Sequence, residues 1–380
     1  MTDISCLPTE IYDQPTQITL LFVEGLFPAC LGIQHLKSLR LVSKRFYQSA
    51  TRILFGAVKI GYPGNGLWSS IHPLERGPES RLSRLCEFEF AGYVRYLEAR
   101  CARPELMSPY EGLGLKAYHN FLFLLQQLPF LQHFVLHAGV TSDEGLVLDS
   151  VLNALQYARP EGLRTLYLDL ASQKEVPALE SALVDLLPQI YHLYVKWNAK
   201  DNTPRAMLDR QSLVREYGQR LQSLRLTGPH QHDMPAVYPL LSPHAPLKHL
   251  SLVGIVMSSD AISAIQSYKA TLVHLHLFDV HLQAGTWSQL FSELCRFPRL
   301  LDMHILSCGY VTAANQPNPP LLHSCDLIES PRSEDESAMM MCVLIMRKRR
   351  RAMGEKGWKM IRMACALQRK PDCYQVHLVD

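Results

Sequence analysis

One strand-like phrase, Leu-x-x-Leu-x-Leu, recurs through the middle of this chain and limits its fold more than any other feature. It stands at Leu131-x-x-Phe134-x-Leu136, Leu163-x-x-Leu166-x-Leu168, Ile190-x-x-Leu193-x-Val195 and Leu221-x-x-Leu224-x-Leu226. It returns at Leu247-x-x-Leu250-x-Leu252, Leu272-x-x-Leu275-x-Leu277 and Leu300-x-x-Met303-x-Ile305, with a weaker early copy at Val94-x-x-Leu97-x-Ala99. The first positions of the seven strong copies are 32, 27, 31, 26, 25 and 28 residues apart. The fourth and sixth positions are two residues apart, so on a strand they share one face.

Helix-like stretches fill the intervals. Val147, Leu148, Val151 and Leu155, and then Leu179, Leu183 and Leu186, show three- and four-residue spacing. Pro177 suits a first helical turn. Ser258-Ser-Asp260 and Thr286 are candidate caps for helices over Ala261–Tyr268 and Trp287–Cys295. One strand and one helix in each short period is the pattern of a leucine-rich repeat. Stacked strands would form a parallel sheet whose inner face packs on the helices, each layer needing the other. The copies are irregular, with no Asn or Cys held at the usual turn position. An ordinary α/β domain of alternating strands and helices is the alternative.

The N-terminal region carries a second pattern. Leu7-Pro8-Thr-Glu-Ile11 opens the chain, and Leu39-x-Leu41-Val42-Ser-Lys-Arg-Phe46 follows about thirty residues later. Leu39, Val42, Phe46, Ala50 and Ile53 make one stripe of an amphipathic helix. These two blocks resemble the F-box, and an F-box ahead of irregular leucine-rich repeats resembles the F-box/LRR proteins of filamentous fungi. From Leu7 to Leu41 is 34 residues, a wider gap than in most F-boxes, and Pro15 falls within it, so an insertion in Pro15–Gly32 is implied. The resemblance implies a substrate receptor of an SCF-type (cullin-RING) ubiquitin ligase. Leu7, Pro8, Ile11, Leu41, Val42 and Phe46 would dock on a Skp-type adaptor of the cullin complex, and the repeats would hold a target protein. The alternatives are a helical cap over the first repeat, and a repeat scaffold with no ligase link.

Net charge is +3 from 38 basic and 35 acidic residues, giving no case for nucleic acid. The start lacks a basic, apolar secretory leader, and the longest apolar run, 338–346, is too short for a membrane span. The expectation is a soluble chain in the cytoplasm or nucleus, or both, with no membrane association. The 10 cysteines include no Cys-x-x-Cys pair. There is no phosphate loop, no Gly-x-Ser-x-Gly and no His-Glu-x-x-His, so no catalytic residue, cofactor or metal is expected. His230-Gln-His232 and His274-Leu-His276 are possible metal chelates, but a plain solvent-facing pair is the simpler reading of each.

The third and fifth positions of each phrase point away from the core. The third positions read Tyr96, His133, Thr165, His192, Ser223, His249, His274 and Asp302; the fifth read Glu98, Val135, Tyr167, Tyr194, Arg225, Ser251, His276 and His304. Tyr and Arg favour protein interfaces. His192, Tyr194, Arg225, His249, His274 and His276 are the expected target-binding set.

The sequence thus divides into an F-box-like module over 1–58, a linker over 59–89, repeats over 90–310, a flexible loop over 311–338 and C-terminal helices over 339–380. Met339–Met353 and Trp358–Leu367 read as helices and Tyr374–Leu378 as a capping strand. Ser330-Pro331 and Ser333–Glu336 are candidate kinase targets. Arg347–Arg351 is either a solvated helix face or a nuclear import signal or phosphate-binding run.

Overall fold

The computed structural model describes residues 56–62, 89–101, 113–138, 144–170, 177–197, 218–228, 236–237, 245–257, 259–311 and 333–369. The eight phrases all become strands, each starting at its third position. They are β2 (Tyr96–Cys101), β3 (His133–Ala138), β4 (Thr165–Leu170), β5 (His192–Trp197), β6 (Ser223–Thr227), β8 (His249–Met257), β9 (His274–Leu282) and β10 (Asp302–Leu306). β1 (Ala57–Tyr62) precedes them, and the short β7 (Ala236–Val237) and β11 (Gly309–Tyr310) sit beside β8 and β9. The result is one open, all-parallel sheet in the order β1-β2-β3-β4-β5-β6-β8-β9-β10. The class is α/β.

Helices join successive strands: α1 (Leu113–Gln126), α2 (Glu144–Ala158), α3 (Pro177–Leu186), α4 (Ser259–Ser267) and α5 (Trp287–Leu294). α1 packs on α2, α2 on α3, and α5 on α6 (Ser333–Arg369). The fourth- and sixth-position rows, Leu97 to Met303 and Ala99 to Ile305, join one hydrophobic core with Phe121, Leu155, Leu183 and Phe291 from the helices. Parallel pairing needs such crossovers, because neither a bare strand row nor a bare helix stripe can leave water alone.

Each strand is entered in the same way. The second-position carbonyl of one copy accepts the second- and third-position N–H groups of the next. From Gly56 through Arg95, Gln132, Arg164, Tyr191, Gln222, Lys248 and Val273, these bonds run 2.8–3.2 Å. That shared hydrogen-bond step fixes the register, so equal positions stand opposite each other across the whole sheet. Late in the sheet a second level repeats: Gly254, Asp279 and Ser307 occupy equivalent positions and all have φ between 52° and 62°. Gly, Asp and Ser are small enough to take this left-handed bend, and β8 and β9 pair in the same register on either side of it. Gly228 is tightly held nearby: a Cβ there would stand 2.2 Å from the Gly254 carbonyl oxygen.

Several sequence expectations need adjustment. The sheet starts at Ala57, so β1 crosses the expected boundary at 58 and occupies part of the linker assigned to 59–89. α6 starts at Ser333, so the last six residues of the expected loop over 311–338 are helical, and Ser333–Glu336 is a first turn rather than a loop. The expected two C-terminal helices are divided at Gly354 (φ 75°, ψ 161°). The F-box-like blocks, His230-Gln-His232, Ser330-Pro331 and Tyr374–Leu378 lie outside the described residues. Among the described residues no helix is long and apolar enough to cross a membrane.

Candidate binding face

The face of the sheet opposite the helices is built from three in-register polar rows. The first is Tyr96, His133, Thr165, His192, Ser223, His249, His274 and Asp302. The second is Glu98, Val135, Tyr167, Tyr194, Arg225, Ser251, His276 and His304. The third was not anticipated: Arg100, His137, Asp169, Lys196 and Thr227 continue the same parity one step along. The six expected target-binding residues do gather on one patch of β5, β6, β8 and β9.

Their exposure differs from expectation. Parity places a residue on a face but says nothing about how tightly neighbours cover it. Tyr194 and His274 are each only 6% exposed. His274 is therefore not half of a solvent-facing pair. Its ring stacks on His249 with centroids 4.7 Å apart and planes 8° from parallel. Its Nδ1 stands 3.7 Å from Asp302 Oδ2, an ion-pair distance longer than a hydrogen bond. His276 turns instead to Ser251, 3.0 Å from Nδ1 to Oγ. The two imidazoles of His274-Leu-His276 thus serve different partners. Among the described residues, no group of three or more His, Cys, Asp or Glu is placed to hold a metal ion.

Two polar clusters sit at the ends of this patch. Toward β2, His137 lies between Glu98 (3.7 Å) and Asp169 (3.3 Å), and Lys196 Nζ reaches Asp169 at 3.2 Å. The Tyr96 hydroxyl donates to Glu98 at 3.3 Å. Burial alone would raise the Asp169 pKa, but the hydrogen bond with His137 and the Lys196 charge together bring it below the ordinary value. Toward β10, Asp302 faces His274, His304 (3.1 Å) and Arg350 (3.3 Å). Burial again opposes ionisation there, and the histidines and Arg350 overcome it, so Asp302 stays ionised well below the usual carboxylate range.

His192 lies between these clusters. Its Nδ1 is buried and meets no hydrogen-bond partner among the described residues. Burial, then the nearby His133 and Lys248, lower its pKa from 6.5 to about 4. His133 is lowered by burial as well. The His192 imidazole is thus neutral in the folded chain at pH 6, where the unfolded chain takes up protons. The stability it supports is complete above about pH 6.5 and is lost as pH falls toward 4. Denaturant midpoints should therefore drop between pH 6.5 and 4.5, before the carboxylates titrate. His192→Gln should flatten that slope, and an unchanged slope in the variant would remove His192 as its source.

The groups of this face pair with one another along the sheet, and Tyr167 and Tyr194 stand with ring centroids 6.1 Å apart. An open groove lies elsewhere, between α4 and α5, lined by Ser259, Gln266, Ser288 and Glu293 among others. No family model matches the chain, and no curated protein matches its sequence.

Proposed function

We propose that this chain is the target-recognition subunit of an SCF-type ubiquitin ligase, built as an F-box followed by divergent leucine-rich repeats. The observation that carries the reading is the in-register polar face: one strand and one crossover per 25–32 residues display His, Tyr, Arg and Lys in rows, beside an N-terminal F-box-like pattern. Repeat proteins of this kind use their exposed strand face to hold partners. The chain itself would carry no catalytic residue. Tethering a target near the charged conjugating enzyme would raise the effective concentration of its lysines.

Burial within the patch divides the labour. Tyr194 and His274 hold their neighbours in place, while Arg225, His276, Lys196 and the exposed His304 present the contacts. The test is affinity capture of the full chain from cells, read by mass spectrometry. Wild type should recover a Skp-type adaptor, a cullin and a target. Val42→Asp with Phe46→Asp should reduce adaptor recovery at least tenfold, since an unpaired charge at an apolar contact is costly. Arg225→Ala with His276→Ala should reduce target recovery and leave the adaptor. Recovery of a target without any adaptor would instead identify a scaffold outside the ligase system.

A further inference from the structure

α6 packs on the β10 end of the sheet with one face, and among the described residues nothing covers the other. Its inner face is fully engaged. Asp335, Cys342 and Met346 are buried, and Arg349 and Arg350 donate to the carbonyls of Cys295, Leu300 and Leu301. Those anchors fix which side of the helix faces out. The outer side bears Met340, Met341 and Leu344, which are 60%, 57% and 49% exposed. Three large apolar side chains side by side on a helix are a candidate contact surface.

Charge on the same side identifies the occupant. Exposed Glu334 and Glu336 precede the apolar group, and exposed Arg347, Lys348 and Arg351 follow it. The order along the helix is acidic, apolar, basic. That order is its own complement when reversed. We infer that α6 pairs with α6 of a second copy of this chain, antiparallel, about a two-fold axis near residue 342. In that arrangement Met340 stands opposite Leu344, Glu336 lies across from Arg347 on one flank and Glu334 across from Lys348 on the other. Glu336 and Lys348 are about 18 Å apart along the helix, so each charged group lies beside the apolar centre and not over it. A two-fold contact uses the same patch twice, which this sequence satisfies. An anionic membrane fits less well, because Glu334 and Glu336 share the face with the basic residues.

The pairing is independent of the polar sheet face and of any adaptor. A contact of one helix face is at the small end of protein interfaces, so the dimer should be weak and salt-sensitive. Sedimentation equilibrium of the full chain from about 1 to 200 µM, at low and high salt, reads it directly. Wild type should show a monomer–dimer equilibrium that weakens at least ~5-fold when salt is raised. R347E/K348E/R351E should be monomeric, and so should E334K/E336K. An equimolar mixture of those two variants should regain a heterodimer, a result that misfolding of either cannot produce. L344E should also be monomeric, with wild-type circular dichroism. A wild-type monomer at every concentration overturns the inference. So does a dimer that neither charge variant disturbs, a mixture that stays monomeric, or a monomer that binds anionic vesicles through Leu344.

Discussion

Leu275→Ala should destabilise the folded chain by about 2–5 kcal/mol, the range for a fully buried leucine truncated to alanine. Leu275 is 1% exposed and occupies the fourth-position row, with Leu250 on one side and Met303 on the other. Below it lies the helix layer. Neither neighbouring strand can slide in to fill the gap, because each is held by the shared carbonyl steps at Lys248 and Val273. The cavity should therefore persist, which places the cost in the upper half of the range. His276→Ala, one residue away on the opposite face, should cost far less. Equilibrium unfolding in denaturant measures both, and equal midpoints for the two variants would mean that the faces have been assigned wrongly.

Asp335→Ala should cost about 2–4 kcal/mol, although the residue belongs to no repeat. Its carboxylate is fully buried and accepts from the Ser288 backbone N–H and the Tyr310 hydroxyl, each at 2.7 Å. Ser288 is the second residue of α5. The Tyr310 hydroxyl in turn accepts from the Trp287 N–H at 3.1 Å, and the Thr286 hydroxyl accepts from the Gln289 N–H at 3.1 Å. Three of the N–H groups that a helix leaves unsatisfied at its start are thus met by side chains from three places in the chain. The negative charge also lies at the positive end of the α5 dipole. Alanine leaves buried donors without acceptors and loosens α6 from the repeats. Hydrogen exchange should show protection lost in α6 and the first turn of α5 while β3–β5 is unchanged. Uniform loss across the sheet would mean that Asp335 does not act locally.

The legibility of this fold from sequence follows the range of the interactions involved. The strands were readable because the period-two pattern is local, and all eight phrases become strands. Thr286 was readable as a cap because its partner Gln289 is three residues away, and both halves of the capping box form. β1 escaped because its copy of the phrase, Phe55-x-x-Val58-x-Ile60, has no leucine; accepting aromatic and β-branched residues would have found it. The six residues expected to bind a target were placed on the sheet face away from the core by parity alone. Their burial was not legible, since it depends on neighbours 25–32 residues away, such as the His249 ring against His274. Nor was the work of Arg349 and Arg350. A run of five basic residues reads as one feature, yet Arg347, Lys348 and Arg351 are exposed while Arg349 and Arg350 grip backbone carbonyls. Contacts of this kind span 49 to 54 residues and leave no periodic trace.

The in-register rows also bear on how such a protein changes over generations. Along every strand, odd and even positions answer to different demands: one set keeps leucine against the helices, the other meets only its lateral neighbours. Drift at Arg225, Ser251 or His276 leaves Leu224, Leu250 and Leu275 undisturbed. A lineage can therefore rewrite what the surface displays one letter at a time without passing through an unfolded intermediate. Conversely, two such chains can share a backbone while their sequences diverge at every second residue of every strand, so descent is easier to trace in the leucine rhythm than in letter-by-letter identity.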